Sequence, residues 1–208
     1  MSVSTYKPNS TDCAAYSGVG DLGEGSANVN SSLTDFATAL SGGDLTNVST
    51  DDANFHSISN GAYGASGHRV KIKIAETPAD ISKITITAKG YGDTMAPGWW
   101  LFAYNVTSGL WEYTGVTHAT GSKDTLTFDI TSSIASYIDG TGFFNFCVHT
   151  VARSGLVNYD YLYYAECVVT YTAAPTTSIK KVNGVAYASI KKISGVAIAS
   201  VKKVSGLS

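Results

Sequence analysis

Polar and apolar residues alternate strictly from Arg69 to Ala75, which sets Val70, Ile72 and Ile74 on one face of a strand and Arg69, Lys71 and Lys73 on the other. The same period returns from Ile81 to Ala88, after a turn at Pro78, and again from Thr125 to Ile130. Trp99 to Val106 reads as a further strand that turns through Thr107, Ser108 and Gly109 into Leu110 to Tyr113, a hairpin signal. Gly142 to His149 and Tyr161 to Tyr171 complete the set, while Ile134, Tyr137 and Ile138 fall at helical spacing and predict one turn of helix. Strands that each bury one face and are joined by short turns pack as two antiparallel sheets. The pattern therefore predicts an all-β, jelly-roll-like sandwich of eight or nine strands over 44–173.

The flanks differ in texture. Residues 1–43 are rich in Ser, Gly, Asn and Ala, with only Leu33, Phe36 and Leu40 near a helical period, and they read as an extended N-terminal arm. After a linker at 174–177, residues 178–208 repeat with a period of 11: Ser178 to Ala188, Ser189 to Ala199, and a truncated third copy from Ser200. Asn183-Gly184, Ser194-Gly195 and Ser205-Gly206 are turn pairs between β-branched residues, so the repeat predicts a short β meander. So small a meander has no core of its own, and two or three isolated strands are marginal in water. We expect it to pack on the sandwich, on a sister chain or on a larger assembly through Ile179, Val182, Val185, Tyr187, Ile190, Ile193, Val196 and Ile198, flanked by Lys180, Lys181, Lys191 and Lys192.

Charge sharpens that division. The eight basic and sixteen acidic residues before Pro175 leave that part at −8, whereas six lysines and no acid follow it. Two readings stand side by side: the tail meets an acidic partner, or its lysines keep an apolar repeat in solution. Charged residues make up only 14% of the chain, and polarity comes instead from Ser, Thr, Asn and 21 glycines, beside 13 tyrosines. That mixture suits strands, turns and an extracellular surface. The N-terminus carries no apolar signal segment and no window is long enough to span a membrane. Synthesis in the cytoplasm and later display on a virion would reconcile these features, and so would a mature chain carried without its signal segment.

Candidate chemistry is sparse. His56, His68, His118 and His149 are scattered without metal-binding spacing, and Gly18, Gly20 and Gly23 form a G-x-G-x-x-G string that lacks a preceding strand. No nucleophile elbow or phosphate loop occurs, so no enzyme activity and no cofactor are expected. Asp51, Asp52 and Asp160 could offer oxygens to calcium, though solvated turn carboxylates explain them as well. Cys13, Cys147 and Cys167 show no metal spacing; Cys147 and Cys167 read as buried thiols or a pair between strands. Tyr91, Trp99, Trp111 and Tyr113 gather around one hairpin and could form an aromatic surface for sugar rings, unless the tryptophans are core. Paired lysines with one interleaved aromatic, Tyr187, make a poor phosphate reader, so nucleic acid is not an expected partner.

The stretches Leu45 to Ile58, Leu101 to Trp111 and Tyr159 to Tyr171 resemble the galactose-binding-like jelly rolls found in carbohydrate-binding modules and bacterial surface proteins. The resemblance, over about 44–173, implies a displayed β-sandwich. Ile179 to Ala186 and Ile190 to Ala197 resemble the repeat that ends bacteriophage structural proteins. Together these imply a non-enzymatic virion component, such as a capsid decoration protein, head fibre or tail-associated adhesin. It would assemble through its tail with itself or with other virion proteins. The alternatives are a carbohydrate-binding module contacting surface glycans, and a filament subunit that completes a neighbour's sheet by strand addition.

Overall fold

A computed structural model of the chain describes residues 1–20, 33, 36–59, 65–93, 98–119, 121–151 and 157–173, and four short strands beyond them. Two units result, Met1–Thr172 and Ala173–Ser208. In the first, the strands are β1 (Ser2–Tyr6), β2 (Ala14–Gly20), β3 (Thr38–Ala39), β4 (His56–Ser59), β5 (Ala65–Lys73), β6 (Ile81–Gly92), β7 (Trp99–Asn105), β8 (Leu110–His118), β9 (Asp124–Ile130), β10 (Phe143–Val151) and β11 (Tyr159–Tyr171). A short helix α1 (Gly42–Asn47) and 3-10 turns at Pro78–Asp80 and Ile134–Ser136 complete it. The last of these is the helical turn expected from Ile134, Tyr137 and Ile138.

The fold is an all-β sandwich of two antiparallel sheets. Sheet A runs β1-β11-β6-β9, with β4 also paired to β11, and sheet B runs β3-β2-β5-β10-β7-β8. From β4 to β11 the described strands alternate between the sheets at every step but one, the hairpin of β7 and β8. Alternation does what the sequence requires of it. Ile84, Ile86 and Ala88 of β6 face Val70 and Ile72 of β5 and Phe144 and Phe146 of β10 across a closed apolar layer. Burying each large aliphatic side chain there contributes about 1.5–3 kcal/mol.

Two expectations need correction. The described residues of the 1–43 segment do not form a separate arm: β1 pairs with β11 (Tyr6 opposite Cys167), and β2 pairs with β5 (Tyr16 opposite Arg69). Their Ser- and Gly-rich character hides strands whose hydrogen-bonding partners lie far along the chain. Nor is the Arg69 face of β5 open to solvent, since Arg69 is itself buried. A second apolar cluster, of Phe36, Trp100, Phe102, Trp111 and Cys147, covers the outer face of sheet B. Trp99 and Trp100 point to opposite sides of β7, and both are buried because both sides are covered.

In the second unit, β12 (Lys181–Val182) pairs with β13 (Val185–Ala186), and β14 (Lys192–Ile193) with β15 (Val196–Ala197). The partners Val182–Val185 and Ile193–Val196 recur 11 residues apart. Each full repeat thus holds one hairpin. Ile179, Lys180, Tyr187, Ile190, Lys191 and Ile198, and the linker at 174–177, lie outside the described residues.

Candidate functional site: a tyrosine platform over a buried polar bridge

The alternating strand β11 turns Tyr159, Tyr161 and Tyr163 outward while Asp160 and Leu162 go into the sandwich, both fully buried. On the outer side Tyr161 lies opposite Tyr91 of β6, and the two rings stack with centroids 4.5 Å apart and planes 16° from parallel. Phe55, just before β4, closes on this pair, 5.5 Å from Tyr161 and 5.1 Å from Tyr163. Tyr159 adds a fifth ring 6.0 Å from Tyr161. Phe55 (42%) and Tyr159 (40%) are exposed, and the other three rings are half-buried. Large aromatic side chains gathered on an open sheet face are the exception that asks for a partner, because isolated apolar residues on a surface do not.

Cations rim the platform. Lys123 Nζ sits 3.8 Å above the Tyr163 ring and donates to the Asp52 carbonyl at 3.2 Å. Lys89 is held by Asp51 at 2.5 Å. Burial and the neighbouring Tyr91 ring hold the Tyr161 and Tyr163 hydroxyls above the ordinary phenol range. Both therefore remain protonated at neutral pH, able to donate and to accept hydrogen bonds.

Beneath the platform a polar bridge joins the sheets. Trp99 Nε1 donates to Asp160 Oδ2 at 2.9 Å, and His68 Nδ1 meets Asp160 Oδ1 at 2.5 Å. A carboxylate can only accept, so His68 carries a proton on Nδ1, and its Nε2 lies 2.8 Å from His56 Nδ1, close enough for one proton to be shared between the two rings. Burial pushes the Asp160 carboxyl up, opposed by the hydrogen bond and charge of His68 and by Trp99. Burial, then the charge of His68, pulls His56 down. The bridge fixes β4, β5, β7 and β11 against one another and so sets the strand that carries the tyrosines. Glycine is required beside it. A Cβ on Gly90 would stand 2.1 Å from the Tyr161 carbonyl oxygen and 2.6 Å from the Trp99 ring.

The residues expected from sequence fall in different places. Tyr91 lies in the platform. Trp99 and Trp111 are fully buried, one in each apolar cluster, so neither can meet a sugar, and Tyr113 packs half-buried against Phe102. From Trp99 to Ala103 the hairpin is instead a wall of the core, because both faces of β7 are covered there and Trp111 of β8 is buried beside it. Asp160 is turned inward, away from Asp51 and Asp52, which hold Lys89 and the Asn54 backbone N–H, so these three do not form a calcium site. Among the described residues no group of three or more His, Cys, Asp or Glu side chains could hold a metal. The three cysteines are free thiols; Cys147 faces out of sheet B and Cys167 faces the layer between the sheets. Tyr159, Tyr161 and Tyr163 are not among the residues expected from sequence, although their period of two announces a single aromatic face.

Fold and site together define a β-sandwich with an open aromatic face on one sheet. Residues 10–162 match the family AF_1625_C, described as "Uncharacterized protein, C-terminal domain", and the chain belongs to that family. No curated protein matches the chain. Among solved structures, one similar chain is the low-affinity xylan-binding module CBM86 from the gut symbiont Roseburia intestinalis. It is 11% identical, with 58% of this chain and 87% of that one covered and a TM-score of 0.24.

Proposed function

We propose that the sandwich is a non-catalytic glycan-binding module that takes a saccharide chain on the tyrosine platform. The observation that carries this reading is the group of five aromatic rings, Phe55, Tyr91, Tyr159, Tyr161 and Tyr163, on the open face of sheet A. A sugar ring offers C–H faces to aromatic surface and hydroxyls to groups that both donate and accept, and neutral tyrosine supplies both at once. Lys123 supplies a further donor at the rim. The test is retention of wild type and of the Tyr161→Ala/Tyr163→Ala double variant in gels containing xylan, β-glucan, mannan or pectin. Retention by at least one polysaccharide that the double variant loses, with unchanged circular dichroism, supports the reading. Equal migration of the two proteins in every gel overturns it.

The tail supports a separate reading. Its two hairpins recur at 11 residues and its six lysines oppose a body at −8, which favours the repeat as an assembly or anchoring element, in a virion or on a second copy of the chain. Light scattering on the full chain and on residues 1–172 tests it. An oligomer that becomes a monomer on truncation supports assembly through the tail; a monomer in both cases removes self-assembly.

A further inference from the structure

The outer face of sheet B has the composition of a ligand site although it is covered. Tyr16, Arg69, Cys147 and Phe102 lie in one row across four strands, and Gly18, Gly67, His149 and Trp100 in the next. Ordinary core would leave few polar atoms unpaired here. Instead Arg69 Nε and Asn145 Oδ1 are buried without a hydrogen-bond partner among the described residues, and the His149 ring is wholly buried beside them. Arg69 is only 9% exposed, lies 4.1 Å over the Tyr16 ring, and pairs with no carboxylate among the described residues. A buried guanidinium without an anion is costly unless the anion comes from elsewhere. Lys71 and Lys73 follow Arg69 along the same face of β5, and the described strand residues on this face include no acid. That is a local excess of positive charge on a body that is acidic overall.

What fills the face is Phe36. Its side chain is 1% exposed and packs with Trp100, Phe102, Trp111 and Cys147. Its backbone has φ of +57°, a left-handed conformation that costs a bulky residue on the order of 1 kcal/mol or more. It fits so closely over β2 that a Cβ on Gly18 would stand 2.8 Å from the Phe36 Cα. A strained aromatic residue is thus seated among rings and unpaired polar groups that it cannot satisfy.

We propose that the outer face of sheet B is a second binding site, for a carboxylate-bearing sugar, and that Phe36 holds the place of the ligand's ring. The sugar ring would lie against Trp100 and Phe102, its carboxylate would meet the Arg69 guanidinium, and its hydroxyls would meet Asn145 and His149. This site is independent of the tyrosine platform on the other sheet.

Calorimetry with tetragalacturonate on the full-length chain tests it, with the platform variant Tyr161→Ala/Tyr163→Ala as background. Binding is expected in that background, weakened at least tenfold by Arg69→Gln and by Asn145→Leu, and tightened about tenfold by Phe36→Ala, which removes the competing ring. Arg69→Gln deletes a charge that no described carboxylate neutralises and gives up only its contact with the Tyr16 ring, so its melting temperature should change little and a loss of binding is not unfolding. Should Phe36→Ala not fold, the first two variants decide. No binding by the wild type, or equal binding with and without Arg69, overturns the proposal. Binding lost in the platform variant but kept in Arg69→Gln would assign the sugar to the platform and reject this second site.

Discussion

Trp99 of sheet B donates its indole N–H to the Asp160 carboxylate of sheet A at 2.9 Å, in a region where neither side chain is exposed. Trp111, equally buried on the other side of sheet B, has an indole N–H with no acceptor among the described residues. The same substitution should therefore cost different amounts at the two sites. Trp→Phe removes similar volume from each, but only at Trp99 does it leave Asp160 short of a partner, a penalty of about 1–3 kcal/mol. Urea denaturation should show Trp99→Phe less stable than Trp111→Phe by about that margin.

His149 gives a pH signature. Complete burial lowers its pKa to about 3. Below about 6.5 the unfolded chain takes up a proton that the folded chain refuses, so this residue's contribution to stability falls as the pH drops from about 6.5 toward 3, by up to about 1.4 kcal/mol per pH unit. His149→Leu abolishes the effect. Between pH 7 and pH 5 the wild type should lose about 2 kcal/mol more than the variant in chemical denaturation. Parallel losses would show that His149 titrates normally.

Gly90→Ala should be severe for a residue that gains one methyl group. The new Cβ meets the Tyr161 carbonyl oxygen, which is backbone and cannot swing aside. About 3 kcal/mol or more of destabilisation is expected. Loss of glycan retention should accompany it, because the displaced backbone carries Tyr161. A variant with wild-type melting temperature and retention would contradict the packing described.

Lys123→Met keeps an aliphatic stem at the rim and removes the ammonium that sits over the Tyr163 ring. Stability should change by less than about 1 kcal/mol. Retention by an anionic polysaccharide should fall more than retention by a neutral one. Equal changes for the two ligand classes would remove Lys123 from the binding surface.

Much of this could be read along the chain, and the reasons for the remainder are specific. Strands with a strict period of two, such as β5, β6 and β9, declared themselves because one side of each meets the apolar layer. The strands β1 and β2 did not, since Ser, Gly and Ala carry little periodic signal and their partners are β11 and β5. Alternation also fixes which residues share a face without fixing what covers that face. This is why Arg69 and Trp100 belong to a second buried layer and the Trp99 to Tyr113 hairpin is not an open platform. Asp160 read as a turn carboxylate because nothing local marks His68, 92 residues earlier, as its partner.

Strand β11 has a mechanical consequence. The platform tyrosines stand at its start, and the chain leaves its far end at Tyr171 to continue into the repeat. If a glycan is held at one end and the tail is anchored at the other, tension runs lengthwise through this strand. Because Tyr91 of the platform belongs to β6, the part of the load it takes reaches β11 through their ladder, from Asp160 to Tyr171, in shear, so the hydrogen bonds share the force instead of parting one by one. A tether built this way would resist flow far better than one that pulls an edge strand open like a zip.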